Sequence, residues 1–104
     1  MKIVAITACT LGVAHTYIAK DRLSEAALKR GHSINVETQG TIGRENILLQ
    51  EDIQNADVVI LAADVAVAHE ERFLGKLIVR VRSEIAIKQP DKLLEKIETK
   101  LKEQ

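Results

Sequence analysis

Two apolar runs limit what this chain can fold into. Ile3, Val4, Ala5 and Ile6 follow one another with no polar residue between them, and Val58, Val59, Ile60 and Leu61 repeat the pattern. A strand with one face in water alternates apolar and polar residues. A strand without that alternation is covered on both faces, as in a parallel sheet flanked by helices. Helical spacing lies between and after the runs. Ala19, Leu23, Ala26 and Ala27 fall on one face of a helix read over Val13–Arg30, with Lys20, Asp21, Ser24 and Lys29 largely off it. Gly31 is placed to end that helix in a left-handed conformation. Pro90-Asp91 suits the first turn of a last helix, whose apolar stripe is Leu93, Leu94, Ile97 and Leu101.

The segments between are shorter. Ser33–Thr38 alternates weakly and reads as a second strand nearer an edge. Gln39–Asn46 holds Gly40 and Gly43 and reads as a loop. Leu48–Ala56 reads as a short helix offering Leu48, Leu49, Ile53 and Ala56 to the core, with no convincing capping oxygen at its start. Val65–Arg72 fits either a loop or a helical turn or two, and Leu77–Val81, after Gly75, reads as a fourth strand. The alternation predicts an α/β three-layer sandwich with a four-stranded parallel open sheet in the order 2-1-3-4, one domain over 1–104.

Charge and composition remove several functions. The 15 basic and 15 acidic residues balance, where a nucleic-acid binder carries a basic excess. Tyr17 and Phe73 are the only aromatic residues, too few for a base-stacking platform. Met1-Lys2 runs straight into a strand pattern with no cleavage signal, and no apolar stretch approaches ~18 residues. One cysteine makes no internal disulfide, which fits a reducing cytoplasm. Any link to a membrane is expected to run through a partner.

That cysteine, Cys9, falls where the first strand gives way to the first helix. The bland reading is a small buried hydrophobe at a strand end. The turn position, with Gly12, His15 and Thr16 just after it, points the other way. Backbone amides and the positive end of a helix favour a thiolate there, and equally a phosphoryl group on sulfur. His32 and His69 share no ligand spacing with Cys9, so no metal is expected, and nothing implies a cofactor.

Three stretches carry a resemblance. The first is Ala8-Cys9 followed by Gly12-Val13-Ala14-His15-Thr16. The second is Glu37-Thr38-Gln39-Gly40, with Gly43 and Glu45-Asn46 behind it. The third is Glu51-Asp52-Ile53, then Ala56–Ile60, Asp64, Arg72-Phe73 and Gly75-Lys76. In this order they resemble the fructose-type enzyme IIB component of the bacterial sugar phosphotransferase system, whose loop reads Cys-Pro-Thr-Gly-[Ile/Val]-Ala-His-Thr. The resemblance implies a relay. A phosphohistidine on enzyme IIA passes its phosphoryl group to Cys9, which passes it to a sugar, fructose or fructose-like, entering through the membrane permease enzyme IIC. It places the chain in the cytoplasm, transiently at the inner face of the membrane. Two departures stand out: the family's Pro-Thr is Thr10-Leu11 here, and its helix-capping Thr is Leu49.

The loop Thr10, Leu11, Gly12, Val13, Ala14, His15 and Thr16 then becomes the phosphate cradle, working through its amides. His15 either donates to a phosphoryl oxygen and favours the thiolate, or only hydrogen-bonds the loop backbone. Thr16 reads first as a helix cap and second as a phosphate donor. Thr10 offers a hydroxyl one residue earlier than the family does. Asp64 reads first as an ordinary turn aspartate, and second as an auxiliary group at a strand end near Cys9. Arg72 reads as a surface charge that an acidic partner surface would meet. Two other functions remain open from the residues. A low-molecular-weight tyrosine phosphatase uses a Cys-x5-Arg-[Ser/Thr] loop, but His15 stands in the arginine position and no Asp-Pro supplies a leaving-group acid. A non-catalytic module that senses phosphate on a partner needs no more than the loop.

Overall fold

The computed structural model describes residues 1–9, 13–40 and 43–102. Strand β1 (Lys2–Ala8) leads to helix α1 (Val13–Lys29), β2 (Ser33–Gly40), a short β3 (Gly43–Glu45) and helix α2 (Gln50–Asn55). Then come β4 (Val58–Ala63), a 3-10 turn (Glu70–Phe73), β5 (Ile78–Val81) and the helices α3 (Ser83–Lys88) and α4 (Pro90–Lys102). The sheet order is β3-β2-β1-β4-β5. The two unbroken apolar runs are its central strands, paired in parallel with Ile3 beside Val58 and Ala8 beside Ala63.

Alternate residues of these strands serve two cores. Ile3, Ala5, Val58 and Ile60 pack with Leu23, Ala27, Leu94 and Ile97 under α1, α3 and α4. Val4, Ile6, Val59 and Leu61 pack with Ile53 of α2 and the fully buried Phe73. This is the three-layer arrangement that the absence of polar alternation requires. Helix α1 ends as expected. Gly31 takes φ +80°, the amide of His32 donates to the Ala27 carbonyl at 2.9 Å, and that of Gly31 to Leu28 at 3.1 Å.

The four parallel strands adopt the expected 2-1-3-4 order, and one correction adds to them. Residues expected as a loop contain β3, antiparallel to β2, with Gly40 facing Gly43 and Thr38 facing Glu45. Gly43, at φ +109°, takes a conformation that side chains disfavour, so the chain can double back there. The Tyr17 hydroxyl of α1 donates to the Glu45 carboxylate and holds the added strand.

Three smaller differences follow local chemistry. Helix α2 is shorter than the expected 48–56, and Leu49 is 64% exposed rather than in the core. Leu49 stands at the capping position with no side-chain bond to offer, and Glu51 and Asp52 in the first turn favour the helix start instead. The 65–72 segment is mostly loop and ends in the 3-10 turn. Helix α3 had no sequence signal, since Ile85, Ala86 and Ile87 run consecutively without helical spacing.

Candidate active site

Strand register assembles the site. Ala8 pairs with both Gln39 and Ala63, and Ala62 pairs with Val81. The residues just past these strand ends, Cys9, Asp64 and Ser83, therefore line up along the carboxyl edge of the sheet. The Asp64 amide donating to the Ala8 carbonyl at 3.0 Å continues the pairing to that point. In open α/β sheets this edge is where ligands bind.

Cys9 is buried at 4% exposure. Its Sγ lies 3.1 Å from His15 Nδ1 and donates to Asp64 Oδ2 at 3.2 Å. His15 comes from the first turn of α1, six residues on, and Asp64 from the end of β4. Ser83 fixes the carboxylate twice: its amide donates to Oδ1 at 3.0 Å and its hydroxyl to Oδ2 at 2.5 Å. The Ser83 hydroxyl also stands 3.4 Å from His15 Nδ1. The Ser83 hydroxyl foremost holds the Asp64 carboxyl below the usual carboxylate range. Partial burial opposes this; the Ser83 amide, the Cys9 thiol and the charge of Arg82 reinforce it. Asp64 is thus a built-in neighbour of Cys9 rather than the ordinary turn aspartate favoured from sequence.

Other expected residues fall differently. Thr10, Leu11 and Gly12 lie outside the described residues, as does the side chain of Val13. Ala14 is exposed in the first turn of α1. Thr16 is the fourth residue of that helix, beyond any cap position, and its hydroxyl is buried with no hydrogen-bond partner among the described residues. The Thr16 carbonyl instead accepts from the Thr7 hydroxyl at 3.2 Å, tying α1 to β1. Ser83 carries no sequence signal beyond the acidic residue that follows it after the fourth strand.

An open cavity of about 410 Å³ borders Cys9, lined by Gln39, Gly40, Gly43, Arg44, Val65, Ala66 and Ala68. Its lining residues Gln39, Arg44 and Ala68 are held by a buried ionic network. Glu37, 0% exposed, accepts both terminal nitrogens of Arg72 at 2.7 Å, Gln39 Nε2 at 2.9 Å, the Leu48 amide at 2.9 Å and Arg44 Nε at 3.2 Å. Burial works against the Glu37 charge, but these donors outweigh it and bring the carboxyl down to about 2. Gln39 Oε1 accepts from the Ala68 amide at 2.8 Å while its Nε2 donates to the Ala68 carbonyl at 3.2 Å. Arg72 Nε donates to the His69 carbonyl at 2.8 Å. Arg72 is therefore a partner of Glu37 inside the fold, not the surface charge read from sequence.

Comparison with known proteins agrees with this architecture. A family model described as the lactose/cellobiose-specific IIB subunit of the phosphotransferase system matches residues 4–96. The fructose-like EIIB component 2 of Escherichia coli K12 is 52% identical over 100 residues, covering 96% of this chain and 94% of that protein. A solved domain of the fructose-specific IIABC component of Borrelia burgdorferi superposes with a TM-score of 0.86 at 50% identity, over 90% of this chain and 89% of that one. An Escherichia coli structure described as a predicted fructose-specific IIB gives 0.89 at 38% identity, over 95% and 88%. In the fructose-specific EIIB'BC component of Vibrio cholerae, 84% of this chain matches 15% of a longer protein. The chain belongs to the fructose-type enzyme IIB family of the sugar phosphotransferase system, and its role is phosphotransfer in sugar transport.

Proposed function

We propose that Cys9 accepts a phosphoryl group from a phosphohistidine of enzyme IIA and passes it to fructose or a fructose-like sugar at enzyme IIC. The carrying observation is the setting of Sγ: the sole thiol, at a sheet's carboxyl edge, before a helix start, with an imidazole nitrogen at 3.1 Å and a cavity alongside. In the first step Sγ attacks phosphorus, the P–N bond of the donor breaks and an S–P bond forms. The thiol proton goes to His15 Nδ1. Asp64 is the poorer acceptor, because its Ser83 hydrogen bonds keep it ionised. The resulting imidazolium then donates to a phosphoryl oxygen, while backbone amides at the start of α1 hold the others.

In the second step a sugar hydroxyl attacks phosphorus, the S–P bond breaks, the leaving thiolate takes its proton back from His15, and the hydroxyl proton passes to a base on the enzyme IIC side. Asp64 helps here by repulsion. A phosphoryl dianion on sulfur stands near a carboxylate, so the intermediate is raised relative to the transferred product. The same carboxylate disfavours hydroxide as a competing nucleophile. Donor and acceptor both need the Cys9 edge, so their footprints overlap there and on the neighbouring loops, including 64–72. The names of longer relatives support such partners: EIIB'BC in Vibrio cholerae joins B to C, and EIIABC in Bacillus subtilis joins A, B and C. No described helix is long and apolar enough to cross a membrane, which fits a cytoplasmic carrier that meets the membrane only through enzyme IIC.

The test is intact-mass analysis after incubation with phosphorylated enzyme IIA. A gain of one phosphoryl group mapping to Cys9, discharged by sugar plus enzyme IIC membranes, is expected. Steady release of free phosphate without sugar would indicate a hydrolase instead, and label that never leaves would indicate a sensing module.

A further inference from the structure

We propose that Cys9, His15 and Asp64 form a site for a thiophilic divalent cation of the zinc type, and that an occupied site blocks phosphoryl uptake. No local spacing marks the site, since His15 lies six and Asp64 55 positions from Cys9. The fold brings them together. One donor atom from each of the three residues lies within 4.8 Å of the other two.

The distances suit the ion. Sγ stands 3.1 Å from Nδ1 and 3.2 Å from Oδ2. A tetrahedral zinc with its usual bond lengths separates sulfur from nitrogen or oxygen by ~3.6 Å, so the two sulfur separations open by a few tenths of an ångström, while Nδ1 and Oδ2, within 4.8 Å of each other, settle at ~3.4 Å. The thiol proton now bridges Sγ and Asp64 Oδ2, and a cation can take that place. The exchange balances without redox chemistry: Cys–SH plus M²⁺ gives Cys–S–M⁺ and one proton released to solvent.

The surroundings complete the site. Ser83 already orients Asp64 through its amide and hydroxyl, as outer partners do for metal-ligating carboxylates. Asp64 is exposed and the cavity beside Cys9 is open, which gives an entry path and room for water as a fourth ligand. Thiolate, imidazole and carboxylate together select a borderline-soft cation over magnesium or calcium. The inference of blocking rests on Cys9 being the phosphoryl acceptor, since the sulfur lone pair that would attack phosphorus is then committed to the metal. The coordination itself rests only on the three side chains.

Cobalt(II) is the probe, titrated anaerobically into the reduced full chain in phosphate-free buffer. The expected result is one equivalent bound, with a near-ultraviolet thiolate-to-cobalt band and visible bands of tetrahedral intensity, both removed by zinc. His15→Gln and Asp64→Asn should each weaken binding at least about tenfold, with unchanged circular dichroism, and His69→Gln should not. Absence of the thiolate band in the wild type, or equal binding by the His15→Gln/Asp64→Asn double variant, overturns the site. Zinc at the concentration that fills it should abolish phosphoryl uptake, and a chelator should restore it. Unimpaired uptake with the site filled overturns the blocking. A chain that takes up no phosphoryl group when metal-free overturns the acceptor reading and leaves the cobalt spectrum as the measure of the site.

Discussion

Replacing Arg72 with methionine measures what the Glu37 network holds together. The methionine stem can still cover the Phe73 ring, over which the guanidinium sits at 4.9 Å, but both bonds to the carboxylate are lost. The Glu37 carboxyl, at about 2 against an ordinary 4.5, favours its charged form by ~3 kcal/mol after its burial has been overcome. Removing one partner of a buried ion pair costs ~3–5 kcal/mol. Here Arg44, Gln39 and the Leu48 amide remain, so Arg72→Met should cost ~3 kcal/mol at neutral pH, the low end of that range. Urea unfolding at a series of pH values is the assay. The folded carboxyl titrates below the unfolded one, so its stabilisation is complete above about 4.5 and is lost as pH falls towards 2. The gap between wild type and Arg72→Met should therefore narrow across that window. In a double-mutant cycle, Glu37→Gln should absorb ~2 kcal/mol of the Arg72→Met effect. A loss under ~1 kcal/mol at neutral pH, or a gap that stays constant into acid, would refute the reasoning.

Other expectations concern the site and the far end of the molecule. Cys9→Ser should pass no phosphoryl group to sugar, because an alkoxide leaves far less readily than a thiolate; rapid-quench transfer assays check this. Ser83→Ala removes the chief donor to Asp64, so the carboxyl should move up towards its ordinary range. The acid limb of the transfer rate should move up with it, at a stability change of ~1 kcal/mol; a pH profile that does not move removes Asp64 from the mechanism. Thr10→Pro/Leu11→Thr should change transfer from phosphorylated enzyme IIA less than ~tenfold if backbone amides hold the phosphoryl group. Glu98, which accepts both the Arg30 fork at 2.6 and 2.8 Å and His32 at 2.6 Å, fastens α4 to the end of α1. Glu98→Gln should lower stability by ~1 kcal/mol at neutral pH, and the difference should shrink as pH falls towards the folded value of about 2, read from thermal melts.

The legible parts were those with local signatures. The unbroken runs Ile3–Ile6 and Val58–Leu61 announced central parallel strands because burial on both faces leaves no room for polar alternation. Ala19, Leu23, Ala26 and Ala27 announced α1 for the same physical reason at helical spacing. Cys9 stood out by its position in a strand-to-helix turn. Less legible was anything set by pairing across the sheet. Whether Asp64 was a turn residue or a neighbour of Cys9 depended on β1 lying beside β4 with Ala8 opposite Ala63. Ser83 required a further register, between β4 and β5, that no local pattern reports. Arg72 reads as a surface charge until Glu37, 35 positions away, is known to be buried. The short β3 depends on Gly43 and on a tyrosine from α1, neither of which marks a strand by itself.

Gln39 and Arg72 grip the 64–69 loop by its peptide groups: the Ala68 amide and carbonyl, and the His69 carbonyl. A peptide group is the same whatever side chain follows it. The placement of this loop is thus written mainly outside its own exposed side chains, in Glu37, Gln39 and Arg72. Val65, Ala66 and Ala68, which face the cavity beside Cys9, are free to change identity without unseating the loop. A lineage can then alter which surface this edge greets by point substitution, while the distance from that surface to sulfur stays fixed. Conversely, grafting the loop onto a relative should succeed only when the residues that clasp its backbone travel with it.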